Sequence, residues 1–304
     1  MKVKNKDIQF EIYERDDTWE TRSGYKSVEE RDRRNRQARR RRKKRIRRLK
    51  RLLLLVSAVL LLAGVFLLCR AFAGNENAFF STADLREKEL KKYASDHQIA
   101  LSDYPESLID LYKRNGETKD FVFEYPLKKD SQPEIDLGEY ADSESVPLLM
   151  QWDQRWGYQM YAGNYFGLSG CGPTCLSMVA IYLSGDTSMN PGWMGEFSSS
   201  HGYASDGNGS AWALFSEGGA ELGFDVTEIP LSRQWVMDNL DVGNPIVAIM
   251  GPGDFTTSGH FIVLSGSEDG KIRINDPNSR ENSEKLWDYD EISDQIRDLW
   301  VFRN

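Results

Sequence analysis

A cysteine before an apolar helical run, a histidine at the head of a strand and an aspartate after the next strand are the residues best suited to chemistry. Cys171 lies between two glycines, His260 follows 89 positions later, and Asp276 ends the next predicted strand. A thiol is a weak nucleophile at its free pKa and needs a partner base to ionise. These residue types, in this order, predict a nucleophilic site with Cys171 as nucleophile, His260 as base and Asp276 orienting the imidazole.

The surroundings of Cys171 favour an ionised thiol. Gly170 and Gly172 permit a sharp turn, and Pro173 is typical of the first turn of a helix. Unpaired N–H groups and the macrodipole at a helix N-terminus stabilise a thiolate. Cys175 lies one turn further along, where the dipole effect fades, and we expect it to pack in the core as most free cysteines do.

His260 is the best-placed of the three histidines. His97 precedes the compact domain, and His201 falls in a polar loop that faces either a groove or solvent. His260 begins an apolar strand after a glycine-containing loop, so we expect its ring at the edge of a sheet. A hydrogen-bonded core histidine is the alternative interpretation. Asn275, the neighbour of Asp276, remains a second candidate for the orienting group.

A nucleophilic site of this kind also needs donors for the developing oxyanion. The backbone N–H of Cys171 is one candidate at the helix start. A side-chain amide upstream is the usual second donor, and Gln151, Gln154 and Gln159 are all available. No zinc-type ligand spacing and no glycine-rich phosphate loop is present, so we expect no metal and no cofactor.

The elements that must position these residues predict an α+β fold. Helices are predicted over 82–90, 105–112, 172–183, 211–222 and 233–240, and strands over 245–250, 260–264, 271–275 and 299–302. Two of the strands are continuous apolar runs, as expected of strands buried on both faces. Glu268-Asp269-Gly270 predicts a hairpin turn before the third strand. Helices before strands is an α+β layout.

The charge distribution predicts a membrane anchor. Residues 52–69 carry no charge over eighteen positions, about the minimum for a bilayer span, and fifteen Lys or Arg lie between residues 31 and 51. Residues 1–51 have a net charge of +12 and residues 71–304 a net charge of −21. This asymmetry predicts a cytoplasmic N-terminus. Nucleic-acid binding by the basic tract is the less favoured alternative, because the tract abuts the span.

Four regions follow from these patterns. We predict a basic cytoplasmic tail (1–51), a transmembrane signal-anchor (52–70), a membrane-proximal helical segment with an acidic linker (71–145) and a compact domain (146–304). Cleavage of the anchor at Ala71-Phe72-Ala73 is the alternative to an uncleaved span. The two cysteines beyond the span lie four positions apart and are poorly placed for a disulfide. An outer domain without disulfides favours a Gram-positive surface.

Four segments together resemble the C39-like, papain-like cysteine peptidases, in particular the stand-alone bacterial members. The segments are VPLLMQWDQRWG from residue 146, SGCGPTCLSMVAIYL from 169, GHFIVLSG from 259 and INDPNS from 274. The resemblance covers roughly residues 145–280. It implies a papain-like fold with the helix of the nucleophile packed on an antiparallel sheet. It also implies Cys171 as nucleophile, His260 as base, Asp276 as orienter and, from the family pattern, Gln151 as oxyanion donor.

The resemblance implies a thiol peptidase that acts on peptides or proteins and not on nucleic acid, and the predicted topology makes it a membrane-anchored extracellular one. Bacteriocin-processing members of the group are fused to transporters, face the cytoplasm and cut after double glycine. No transporter or ATPase motif is present here, and the predicted topology points outward. Two alternatives remain: hydrolysis of cell-wall peptide by the same residues, with Trp152, Trp156, Trp193, Trp212 and Trp235 as groove-lining candidates, and a catalytically silent surface binding module.

Overall fold

A six-stranded antiparallel sheet with helices on both faces forms the centre of the molecule. The computed structural model describes residues 81–304. The strands of the sheet are β5 (Asp225–Glu228), β6 (Ile246–Met250), β7 (His260–Glu268), β8 (Lys271–Asn275), β9 (Leu286–Trp287) and β10 (Ile296–Arg303). Their order across the sheet is β5-β10-β6-β7-β8-β9. Two short hairpins, β1 (Met160–Tyr161) with β2 (Asn164–Tyr165) and β3 (Ala204–Ser205) with β4 (Gly209–Ser210), lie outside this sheet.

Both faces of the sheet are buried, which explains the continuous apolar runs. In β6, Val247 and Ile249 pack in one hydrophobic cluster, whereas Ile246, Ala248 and Met250 pack in another. Successive side chains of a strand point to opposite faces, so a strand covered on both sides must be apolar at every position. The predicted strands at 245–250, 260–264, 271–275 and 299–302 are confirmed.

The helices are α1 (Thr82–Asp96), α2 (Glu106–Arg114), α3 (Lys119–Phe123), α4 (Tyr125–Lys128), α5 (Phe166–Ser169), α6 (Cys171–Ser184), α7 (Pro191–Ser200), α8 (Gly219–Glu221), α9 (Arg233–Leu240), α10 (Arg280–Glu284) and α11 (Tyr289–Ile292). The longest helix of the sheet-bearing part, α6, is apolar on nearly all sides, and most of its residues are buried. It ends at Gly185, whose left-handed backbone (φ 71°) suits glycine.

The segment before the sheet is also folded. We call α1 to α4 (residues 82–128) the N-terminal helical part. Ser81 caps α1, and its side chain forms a reciprocal capping box with Asp84. The helix predicted over 82–90 is confirmed and extends to Asp96. Helix α2 runs from Glu106 to Arg114, with Pro105 and Asn115 at its caps, and it confirms the helix predicted over 105–112.

Two local expectations are corrected by the structure. The predicted helix 211–222 is a π-helix over Leu214–Gly218 followed by the short α8, with one residue more per hydrogen-bonded turn than in an α-helix. Helix α7 was not predicted, because its run of Gly and Ser residues has low helix propensity. Asn190 caps this helix and Pro191 occupies its first position, and these were the available signals.

The predicted acidic linker, 130–145, is partly packed against the domain. Leu137 is fully buried in the main hydrophobic cluster, and a short 3₁₀-helix follows at Gly138–Tyr140. Within residues 81–304, none of the helices combines the length and apolarity needed to cross a bilayer. The predicted span at 52–70 and the basic tail lie outside the described residues.

Candidate active site

Cys171 is the first residue of α6, as the glycine and proline pattern predicted. Gly170 occupies the cap position and provides no side-chain cap. A Cβ at Gly172 would come within 2.7 Å of the Ser210 Cβ, so the start of the helix lies directly against β4. The Cys171 side chain is half-buried, whereas Cys175 is fully buried. Cys171 is therefore the thiol that a substrate can reach.

His260 is hydrogen-bonded to Asp276 in a buried pair. The distance from His260 Nε2 to Asp276 Oδ1 is 2.7 Å. The Asp276 carboxylate also accepts hydrogen bonds from the Asn278 backbone N–H and from Asn282 Nδ2, each at 2.8 Å. Because Nε2 is engaged by Asp276, the other ring nitrogen, Nδ1, is the one left for the thiol of Cys171.

Strand alternation separates the two candidates for the orienting group. Asn275 pairs with Val263 across β7 and β8. Its Nδ2 lies 3.9 Å from Met178 Sδ of helix α6 and donates to the carbonyls of Val146 and Pro147 at 3.0 Å. Asp276 is the next residue and faces the opposite way, towards His260. The structure thus brings Asp276, and not Asn275, to the imidazole.

The electrostatics of the cluster favour a charged pair. Burial raises the pKa of Cys171, but its interaction with the His260 imidazole and the backbone N–H groups of Phe261 and Gly172 outweigh burial, and the net shift is downward. Burial lowers the pKa of His260, but the charge and hydrogen bond of Asp276, with the Cys171 thiolate, raise it to about 10. A thiolate facing an imidazolium is the state these shifts stabilise.

Burial has opposite outcomes at Asp276 and at the second thiol, Cys175. Burial raises the pKa of Asp276, but the charge and hydrogen bond of His260 and the hydrogen bonds of Asn282 and Asn278 outweigh it. The net shift of the Asp276 pKa is downward, so the carboxylate stays ionised. Burial raises the pKa of Cys175 well above its ordinary value, and the nearby Cys171 adds to this. Cys175 is therefore an inert thiol near neutral pH.

Gln151 is the glutamine that lies at the cluster. Its side chain is buried, Nε2 donates to the Gly167 carbonyl at 2.9 Å, and it lines a cavity together with Cys171 and His260. Its Oε1 has no hydrogen-bond partner among the described residues. The second Nε2 hydrogen is available to a ligand.

The two other glutamines lie elsewhere. Gln154 Oε1 accepts from Lys128 and its Nε2 donates to the Glu124 carboxylate at 2.7 Å on the surface. Gln159 packs close to Gly192 at the start of α7. Of the three candidate glutamines, Gln151 is the one that lines a cavity together with Cys171 and His260.

The N-terminal helical part holds the loop that follows Asp276. The Glu117 carboxylate accepts from Ser279 Oγ at 3.1 Å and from the Arg280 backbone N–H at 2.8 Å. Asn115 Nδ2 donates to the Asn278 carbonyl at 2.7 Å. These contacts join residues more than 160 positions apart, and they fix the loop whose Asn278 N–H holds the Asp276 carboxylate.

The N-terminal helical part also supports Gln151, through the side chain of Phe121. The Phe121 ring stacks on Tyr158 with centroids 4.6 Å apart. It lies so close to Gly157 and Gly167 that a Cβ at either glycine would come within 2.7 and 2.6 Å of the ring. Gly167 supplies the carbonyl that accepts from Gln151. Phe121 thus packs against the backbone that orients the amide.

Two cavities meet at Cys171 and His260. We call them the Arg297 cavity, with a volume of about 570 Å³, and the helical-part cavity, about 730 Å³. Both are lined by Cys171, His260, Leu168, Ser258 and Gly259. The first continues along the glycines of β4 and Trp212, and the second along α2 and the loop after Asp276. An extended chain can lie across the thiol with one end in each cavity.

The remaining candidates lie away from the thiol. His201 follows the end of α7, where its Nδ1 lies 2.8 Å from the Phe197 carbonyl, and His97 occupies the matching position after α1. Trp152 and Trp156 are buried, whereas Trp193, Trp212 and Trp235 are exposed. Of these five tryptophans, Trp212 is the one that lines a cavity adjoining Cys171.

Comparison with known proteins places the chain in a family. The model of the Peptidase_C39 like family matches residues 143–302, just over half of the chain. The chain belongs to the Peptidase_C39 like family. This C39-like region contains Cys171, His260, Asp276 and Gln151 but not the N-terminal helical part. A search of curated proteins found no match.

Two solved structures are similar to this C39-like chain. One is the peptidase domain of Streptococcus ComA, a bifunctional ABC transporter involved in quorum sensing, with 22% identity, 44% of this chain and 90% of that chain covered, and a TM-score of 0.34. The other is a protein from Bacillus anthracis described as a C39-like peptidase, with 16% identity, 53% and 98% coverage and a TM-score of 0.33. At these scores the likeness adds no argument to the family match.

Sequence reasoning missed the residues that connect the helical part of this C39-like chain to its site. Asn115, Glu117 and Phe121 were all assigned to the predicted membrane-proximal segment, 71–145. No local pattern identifies their partners, because those partners are distant in the sequence. The available signal was the short acidic and aromatic run at residues 117–125, before the family match begins at residue 143.

Proposed function

We propose that this protein is a thiol peptidase in which Cys171 is the nucleophile, His260 the acid–base group, Asp276 the orienter and Gln151 an oxyanion donor. Membership of the Peptidase_C39 like family supports peptidase activity. The observation that carries the residue roles is the buried His260–Asp276 hydrogen bond beside a helix N-terminal thiol. Together these groups have the arrangement that a papain-like mechanism needs.

In this mechanism the Cys171 thiolate attacks the scissile carbonyl carbon, and the carbonyl oxygen becomes an oxyanion. The Gln151 Nε2–H and the Cys171 backbone N–H stabilise that oxyanion by donating to it. The His260 imidazolium then donates its proton to the leaving amine as the C–N bond breaks. The neutral imidazole deprotonates a water, which attacks the thioester, releases the acid product and regenerates the thiolate.

We also propose that the peptidase domain lies outside the cell and is held by the predicted span at 52–70. The charge asymmetry across that span supports this topology. Protease added to intact cells is expected to remove the domain while the basic tail is retained. Full protection of the domain in intact cells, with digestion after lysis, contradicts the topology.

The decisive test of the chemistry compares the two cysteines. Cys171→Ala is expected to abolish peptide turnover and rapid iodoacetamide labelling near neutral pH. Cys175→Ala, the matched control, is expected to retain both, because the buried Cys175 thiol is protonated there. Undiminished labelling of the Cys171→Ala variant contradicts the assignment. Release of cell-wall fragments by an enzyme that leaves peptides and proteins intact would instead favour wall hydrolysis.

A further inference from the structure

The arginines of the described region fall into two groups that differ in their partners. Eight arginines lie in residues 81–304. Five form ion pairs with carboxylates, namely Arg155, Arg233, Arg273, Arg280 and Arg303. The three that pair with no carboxylate among the described residues are Arg86, Arg114 and Arg297. All three line the two cavities that flank Cys171.

Arg297 is the clearest case of a cavity-lining arginine without a carboxylate partner among the described residues. Apart from Cys171 and His260, it is the one ionisable side chain among the described residues that line its cavity. Its Nη1 donates to the Asp294 carbonyl at 2.9 Å, which fixes the guanidinium against Gly251, where a side chain would collide with it. A cation without a carboxylate partner is unexpected where residues 71–304 have a net charge of −21.

Strand geometry aims Arg297 at the cavity. The pairing of β10 with β6 shifts register between Ile296 and Asp298, which leaves Arg297 as the extra residue of a bulge. Bulges redirect a side chain and are frequent beside active sites. Ile296 pairs with Met250, and Met250 pairs with His260. Two strand spacings therefore separate the backbones of Ile296 and His260, or roughly 10 Å.

The helical-part cavity contains both signs of charge. Arg86 donates to the Lys113 carbonyl at 3.0 Å, and Arg114 is exposed with no ion pair among the described residues. Of the carboxylates lining the same cavity, Glu117 is occupied by the loop after Asp276, Asp254 accepts from Gln295, and Glu281 is exposed. Within residues 81–304, the Arg297 cavity is lined by no such competing carboxylate, so Arg297 is the most available of the three arginines.

We propose that the substrate is a peptide with an acidic side chain held by Arg297, a specificity that rests on the proposed peptidase function. An extended chain advances about 3.3 Å per residue, so a separation of roughly 10 Å places the acidic residue about three positions from the scissile bond. A carboxylate there forms a charge-assisted hydrogen bond with the guanidinium. The acidic exterior of the domain repels acidic peptides elsewhere, so the cavity is the favourable place for them.

The test uses matched peptides and charge-reversed enzyme. A peptide cleaved by the full-length protein is remade with Glu, Gln or Lys at each of the four positions on either side of the cut, and kcat/KM is measured. We expect Glu to exceed Gln by about fivefold at one position, as for an exposed ion pair, and the preference to weaken with added NaCl. Arg297→Gln should remove the preference, and Arg297→Glu should turn it towards Lys.

Controls separate this proposal from the function on which it rests. Arg233→Gln removes an arginine that is paired with Asp290 outside both cavities, and it should leave the preference intact. Peptide affinity is also measured with the Cys171→Ala variant, with and without Arg297→Gln. Charge-dependent binding without cleavage by the native protein supports the Arg297 site and contradicts the peptidase. Cleavage and binding that do not depend on peptide charge when Arg297 is present, or a preference for Glu that persists in Arg297→Gln, overturn the site.

Discussion

At the residue scale, the opposite pKa shifts of Cys171 and His260 define a pH window for activity. Below the lowered pKa of Cys171 the thiol is neutral and unreactive. Above about pH 10 the His260 imidazolium loses the proton that the leaving amine needs. Between these limits the ion pair is intact. We therefore expect kcat/KM to rise on the acid side at a pH below the ordinary thiol pKa and to fall near pH 10.

Asp276→Asn tests the cause of the alkaline limit. The charge of Asp276 is the main influence that raises the pKa of His260, so its removal should lower that pKa and move the alkaline limb to lower pH. The measurement is the pH profile of kcat/KM, with iodoacetamide labelling of Cys171 as a second readout. An alkaline limb that stays near pH 10 in Asp276→Asn contradicts the assignment of His260.

Gln151→Ala tests the oxyanion donor. We expect kcat to fall by roughly 100-fold or more, because a preorganised donor is lost, while the labelling rate of Cys171 stays close to that of the native protein. Gln154→Ala is the matched control, since its amide binds Glu124 on the surface, and it should leave kcat unchanged. Equal losses in both variants would rule out a specific role for Gln151.

At the element scale, the loop after Asp276 depends on a carboxylate from another part of the chain. Glu117→Ala leaves the Arg280 N–H and Ser279 hydroxyl without their acceptor. We expect about a tenfold loss of kcat from the misplacement of Asp276, with the alkaline limb of the pH profile shifted downward. Glu284→Ala on α10, an exposed position, is the control.

The pH profile distinguishes positioning from folding in this experiment. A variant that is only destabilised has a lower kcat at every pH and an unchanged pH profile. A displaced Asp276 instead changes the pKa of His260 and so shifts the alkaline limb. A Glu117→Ala variant with native kcat and a native profile would show that the helical part does not position the site.

The elements that sequence reasoning predicted are those whose burial is uniform or whose ends are chemically marked. Strands β6 and β7 were predictable because apolar residues on both faces leave few alternatives, and β8 was predictable because it follows a hairpin turn. Helix α6 was predictable from its glycine boundaries. The π-helix at Leu214–Gly218 and helix α7 were not, because tertiary packing decides their form over weak local preferences.

At the scale of the whole molecule, the N-terminal helical part shares one hydrophobic cluster with residues 150–158, at the start of the C39-like region. Phe121, Trp152 and Tyr158 belong to it. Phe121→Ala should reduce the free energy of unfolding by about 3–5 kcal/mol, measured by chemical denaturation. Leu127→Ala, at a side chain 65% exposed, should have little effect. A native unfolding midpoint in Phe121→Ala would contradict a shared core.

The members of the candidate site, but not their support, could be named from the sequence. Residue type and order pointed to Cys171, His260 and Asp276, and the family pattern pointed to Gln151; their catalytic roles stay predictions. The contribution of Glu117 and Phe121 depends on contacts across the folded chain, which periodicity and spacing do not encode. The membrane topology remains a prediction, because residues 52–70 lie outside the described region.

The position of His260 on a central strand has a consequence for the local unfolding of the protein. Strand β7 is bonded on both sides, by β6 and β8, whereas Asp276 lies just beyond the end of β8. Central strands exchange their amide hydrogens slowly and terminal loops exchange them quickly. Deuterium uptake should therefore begin in residues 276–284 well before residues 260–264. On warming, the imidazole would lose its carboxylate while the rest of the sheet was still intact.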